Sequence, residues 1–177
     1  IYDLQVGVNY QALLITSYYA TGNVAGDAHV DAAYVELYNN SDTAISLAGV
    51  SLYVSDKGGA YTEYRFHEGD IVPAEGYFLV RGRDANGTTT DALSVEHYDR
   101  RFSTLSPNPK YTRLALAPAG ISLPTDKPLA EVDGIFAYVT THALDAADTY
   151  HYIDSASVNK VIRKKACTDK VDYQSIN

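Results

Sequence analysis

Apolar and polar residues alternate with a period of two along much of this chain. Residues 13–16, Leu-Leu-Ile-Thr, form an apolar run of strand length. Over 33–38, Val35 and Leu37 point to one face and Tyr34, Glu36 and Tyr38 to the other. Ile45 and Leu47 resume the same period, Gly49 interrupts it, and residues 51–55 carry the next strand. Asp56-Lys57-Gly58-Gly59 reads as a hairpin turn that returns the chain through 61–66. Asn39-Asn40-Ser41-Asp42 and Pro73-Ala74-Glu75-Gly76 are turn clusters, the second leading into a strand over 77–81. Strand signals return at 113–116, 132–139, 161–163 and 171–173.

Three stretches break the pattern. Residues 21–31 read as a loop rich in Gly, Asn and Asp. Residues 82–112 are too long for a hairpin loop, and one short helix is expected over 91–102 with Asp91 as its cap. Within 140–152 a helical turn is expected around 143–147. Short strands at a spacing of roughly 8–12 residues, with no long helix, predict an all-β sandwich or barrel.

Composition changes this picture little. The 177 residues suit one domain spanning 1–177, with 46% apolar and 20% charged residues, a globular balance. No apolar run is long enough to span a bilayer. With no recognisable signal peptide and no initiating Met, a mature or trimmed product is expected. The net charge of −8 argues against nucleic acid and anionic lipid as partners. Cys167 is the single cysteine and forms no internal disulfide.

Tyrosine is over-represented, with 16 Tyr against 4 Phe and no Trp. Strand propensity accounts for such a count. The sharper reading is a recognition face, with Tyr18, Tyr19, Tyr34, Tyr38 and Tyr53 as its candidates together with the 82–112 stretch.

Motifs that carry chemistry are sparse. No Gly-x-Ser-x-Gly elbow is present, and no His lies close to Cys167 in sequence. The five histidines are scattered without metal-ligand spacing. No cofactor is expected apart from calcium, which three oxygen-rich loops admit. Asp84-Ala85-Asn86-Gly87 matches the first half of a calcium loop, and Asp27 and Asp31 lie in a second oxygen-rich loop; the same residues are also ordinary turn formers. Asp145, Asp148 and Asp154 mark a third such loop. Asn39-Asn40-Ser41 and Asn86-Gly87-Thr88 fit the N-glycosylation pattern.

The blocks 34–42 and 45–52, with the 71–80 turn and strand, resemble the lamin tail domain family. Weaker blocks at 132–138 and 161–173 extend the resemblance over about 13–173. It implies an immunoglobulin-like antiparallel β-sandwich, with 82–112 and 140–156 as insertions. Val50 stands where the family usually has Trp, and Glu75 where it usually has Gly.

The resemblance further implies a non-catalytic module of a larger multidomain protein, of bacterial extracellular or cell-envelope type. Adhesion, anchoring and recognition of a protein or glycan are the roles it suggests. Two alternatives stay open: a hydrolase whose site the insertions build from His97, Asp99, Asp145 and His151, and a calcium-dependent interaction module.

Overall fold

The computed structural model describes residues 4–21, 26, 28–153, 161–164 and 173–176, with backbone alone at 163–164 and 173–176. In chain order the strands are β1 (Leu13–Tyr19), β2 (Ala28–Val30), β3 (Ala32–Asn39), β4 (Ile45–Ser46), β5 (Val50–Asp56), β6 (Thr62–Arg65) and β7 (Ile71–Val72). They continue with β8 (Tyr77–Asp84), β9 (Thr88–Leu93), β10 (Arg100–Arg101), β11 (Thr112–Pro118), β12 (Ala137–Thr140), β13 (Val161–Lys164) and β14 (Tyr173–Ile176).

Two layers result. One sheet has six strands in the order β10-β8-β3-β1-β13-β14, and the other has four in the order β12-β11-β5-β6. β4-β7 and β2-β9 form two separate two-stranded sheets. The main core draws on both layers. Leu13, Ile15, Val35, Leu37 and Val80 come from the six-stranded sheet, and Val50, Leu52, Leu114, Leu116 and Val139 from the four-stranded one, all at 0% exposure. Leu47 is equally buried. The alternation over 33–38 therefore marks the inward face as expected, and the fold is the all-β, immunoglobulin-like sandwich.

Several local expectations need correction. No α-helix forms over 91–102. The Thr88-Thr89-Thr90 run favours extended backbone, and β9 takes 88–93 while β10 takes 100–101. The sheets are not wholly antiparallel: β2-β9 and β10-β8 are parallel pairs, each with one strand from 82–112. The expected loop over 21–31 contains β2, and the strand expected over 132–139 is confined to Ala137–Thr140. The helical turn around 143–147 is a 3-10 turn over Ala143–Asp145.

Turn chemistry explains the registers. Between β5 and β6, Lys57 (φ 53°) and Gly58 (φ 73°) are both left-handed, and the Gly59 amide donates to the Asp56 carbonyl at 2.9 Å. That is a tight turn with two left-handed residues, and the β5–β6 ladder closes beyond it at Val54 and Thr62. Asn39 is fully buried, and its amide nitrogen donates to the Thr43 carbonyl at 2.8 Å and the Val72 carbonyl at 3.3 Å. It accepts from the Ser41 hydroxyl at 2.7 Å rather than from a backbone amide two residues on. Asn39 is thus closed to a glycan, whereas Asn86 is exposed.

Glu75 sits at φ 51° in the turn where the Gly76 amide donates to the Pro73 carbonyl at 3.0 Å. An L-residue pays about 1–2 kcal/mol there, and Gly does not. Since Glu75 is exposed, Glu75→Gly is expected to raise the unfolding free energy by about 0.5–1 kcal/mol in urea titration. A loss of stability would show that the side chain contributes more than its backbone strain costs.

Candidate functional site

The six-stranded sheet has a second, smaller apolar cluster on its outer face. Tyr19, Val30, Ala32 and Val95 are buried there, with Tyr34, Leu79 and Val161 packed against them. The parallel pair β2-β9 supplies Val30 and leads into the segment that carries Val95. Beside this cluster lies a groove of about 430 Å³. Tyr34, Glu36 and Leu79 floor it from β3 and β8, and residues 93–97 wall it.

That wall is stapled to the sheet by two charged residues. Asp31 accepts the Ser94 hydroxyl at 2.6 Å and the Val95 amide at 2.8 Å, while its own amide donates to the Leu93 carbonyl at 2.9 Å. Arg81 of β8 donates to the Val95 carbonyl and pairs with Asp84 at 2.9 Å and Asp31 at 3.5 Å. The face of Tyr98 lies 5.8 Å from the Arg81 guanidinium. Burial tends to raise the Asp31 pKa, but Ser94, the Val95 amide and Arg81 together hold it below the usual carboxylate range.

This has a consequence for acid stability. Because the folded pKa lies below the unfolded one, the Asp31 contribution is complete above about pH 4 and drains away as the pH falls through the folded value. In Asp31→Asn the acid limb of the stability–pH curve is expected to be shallower than in the parent chain. An unchanged limb would show that the wall is not held through this carboxylate.

The loop that closes β8 depends on a close approach. Gly82 leaves room for the Leu105 carbonyl, which a Cβ would meet at 2.4 Å, and the Arg83 amide donates to that carbonyl at 2.7 Å. Leu105 is fully buried, so the chain following the wall is plugged into the main core. Gly82→Ala is expected to cost about 1–3 kcal/mol through overpacking, read by thermal or urea unfolding. A neutral result would mean that the loop shifts freely.

The tyrosine candidates divide. Tyr34 lines the groove and stacks on Tyr19 with ring centroids 5.9 Å apart. Burial and the neighbouring Glu36 push the Tyr34 hydroxyl up to about 12, so it remains a donor at neutral pH. Tyr38 lies farther along the same face and pairs with Tyr77 at 4.8 Å. Tyr18, Tyr19 and Tyr53 are buried, which removes them from an exposed face. A bulge between Ile15 and Ser17 shifts the phase of β1 and turns Tyr18 into the main core. Tyr53 is covered by Ile121, Leu123 and Ile135, and its hydroxyl donates to the Pro118 carbonyl at 2.7 Å.

Of the calcium candidates, Asp84 and Asp31 have carboxylates engaged by other partners. The carboxylate of Asp84 is shared between Arg81 and Arg101, the latter at 3.2 Å. Asp31 holds the wall, and the Asn86 carbonyl accepts the Gly26 amide at 2.9 Å. Asp27, Asp154 and Cys167 lie outside the described residues. Among the described residues, no three His, Cys, Asp or Glu are grouped to hold a metal ion.

The four hydrolase candidates do not converge. His97 stands on the groove wall. Asp99 accepts the Leu79 amide at 2.7 Å. Asp145 is only 1% exposed and bound to Arg113 at 2.8 Å. His151 stacks on Tyr138 at 3.9 Å, pairs with Asp148 at 3.0 Å and lines a different cavity with Gln11 and Phe136. The physical reason is distribution: His97 and Asp99 lie beside Leu79 of β8 in one sheet, and Asp145 and His151 lie beside Thr140 of β12 in the other, so the four do not meet in one pocket.

Leu93, Val95 and Glu96 line the groove from within the candidate 82–112 stretch, whereas Leu79 lies outside every sequence candidate. The local signal for Leu79 is the strand pattern that places it beside Glu36 on the outer face. No helix among the described residues is long and apolar enough to cross a membrane. The family model described as Lamin Tail Domain matches residues 9–118, which is more than half of the chain and runs from before β1 through β11. No curated protein matches the chain.

Proposed function

The chain belongs to the lamin tail domain family, and from that premise we propose that it is a non-catalytic recognition module whose groove takes a segment of a partner protein. The family is an immunoglobulin-like domain used in protein–protein interaction. The observation that carries the reading is the groove itself: about 430 Å³, floored by Tyr34, Leu79 and Glu36 and walled by 93–97. Leu93 adds an apolar rim at 71% exposure. An exposed concave surface with an aromatic floor and a polar edge suits a protein ligand.

The setting that goes with this reading is the surface of a cell or its envelope, with 1–177 as one sandwich module within a larger bacterial protein. The family-level role and the net charge of −8 support a soluble docking surface. Adhesion and anchoring are then consequences of the partner bound rather than separate activities.

A random peptide library displayed on phage and selected on the chain tests the proposal. Peptides are expected to emerge that bind the parent chain and lose about tenfold or more in affinity on Leu79→Arg. Enriched peptides indifferent to Leu79→Arg, in a variant shown to melt normally, would overturn the groove as the docking site.

A further inference from the structure

Among the described residues the charged groups lining the groove are both acidic. Glu36 lies on its floor and Glu96 on its wall, and no described Lys or Arg side chain lines it. Arg81 of β8 does not neutralise them, because it is engaged by Asp31, Asp84 and the Val95 carbonyl. Glu36 accepts the Thr16 hydroxyl at 2.8 Å through one oxygen, and a carboxylate accommodates several donors at once. Val30, Tyr34, Leu79 and Val161 give the groove apolar and aromatic surface beside these carboxylates, and Ser94 and His97 add polar groups on the wall.

We infer that the groove is built for a cationic side chain: a lysine or arginine of the partner segment, its stem on Leu79 and Tyr34 and its head held by Glu36 and Glu96. This rests on the recognition reading above and narrows its ligand. A long basic side chain is the natural complement, since its methylenes bury against apolar surface while its head meets a carboxylate. The ring of Tyr34 adds attraction for a cation passing over its face. A neutral apolar segment would leave two carboxylates facing it without compensation. An acidic segment would meet like charge at both, within a chain that already carries −8.

The test uses a peptide from the library selection that binds the parent chain and loses affinity on Leu79→Arg. Its lysine is replaced by norleucine, or its arginine by citrulline, and affinities are measured by fluorescence polarisation. The neutral peptide is expected to bind about tenfold more weakly than the parent peptide. Glu36→Gln and Glu96→Gln are expected to weaken the parent peptide several-fold while changing the neutral one by less than about twofold, the signature of a coupled pair. Affinity for the parent peptide is also expected to fall with added salt. Groove-dependent peptides that lack Lys and Arg, or neutral isosteres that bind as well as the parent, would overturn the cation inference while leaving the groove reading in place. Peptides that bind without regard to Leu79→Arg would instead overturn the groove reading on which it rests. Glu96 is exposed, so its variant keeps the test open if Glu36→Gln fails to fold.

Discussion

Arg113→Ala is expected to lower the unfolding free energy by about 3–5 kcal/mol, which is a large share of a domain's total. Arg113, the second residue of β11, is 0% exposed, and Asp145 beside it is 1% exposed. The guanidinium donates to Asp145 at 2.8 and 3.3 Å and to the Thr125 and Lys127 carbonyls at 3.3 and 3.1 Å. Asp145 also accepts from the Leu129 amide and the Thr140 hydroxyl, each at 2.7 Å. The pair therefore ties the loop after β11 and the 3-10 turn after β12 to one strand. Removing the cation leaves a carboxylate buried with two neutral donors, and the two loop carbonyls lose their partner. A melting midpoint lower by roughly 10 °C is the corresponding thermal readout. The double variant Arg113→Met with Asp145→Leu is expected to recover part of the loss, because no uncompensated charge remains. A single variant within about 1 kcal/mol of the parent would show that the pair is not the tie described.

Leu37→Ala is the second large effect, expected at about 3–5 kcal/mol. Leu37 lies in the middle of β3, opposite Ile15 on one side and Phe78 on the other, and has no exposed surface. Close packing on all sides leaves little scope for the cavity to collapse. Its neighbour Tyr38 faces outward and is half-buried against Tyr77, so Tyr38→Ala is expected to cost about 1 kcal/mol or less beyond its lost ring contact. Comparing the two by urea denaturation tests the two-residue alternation directly. Equal losses would contradict the assignment of inner and outer faces.

These two positions also mark the limits of what the amino-acid order reveals. Val35, Leu37, Leu47 and Leu52 can be read as core from local period alone, because each strand there is regular and one face is buried. Tyr18 cannot, since the bulge after Ile15 depends on the pairing of β1 with β3. The burial of Tyr53 depends on Ile121, Leu123 and Ile135, which are distant in sequence and fold over it as a loop. Arg113 leaves a clue, a charge inside the apolar run Thr112–Pro118, but its partner lies 32 residues away.

The groove shows the same division. Tyr34 and the 82–112 stretch were legible as candidates, and both contribute to it. Asp31 and Asp84 stood out as oxygen-rich loop residues, yet Arg81 converts them into structural staples, a pairing that only the fold creates. The short strand β9 was hidden because a Thr run beside Asp91 offers both extended backbone and a helix cap.

The groove as docking surface is tested most directly by mapping amide chemical shifts while a peptide selected on the chain is titrated in. Perturbations are expected to cluster at 34–36, 79 and 93–97, with little change at 53, 121 and 135 on the covered face of the other sheet. Shifts concentrated on that second face, with the groove amides unmoved, would contradict the account.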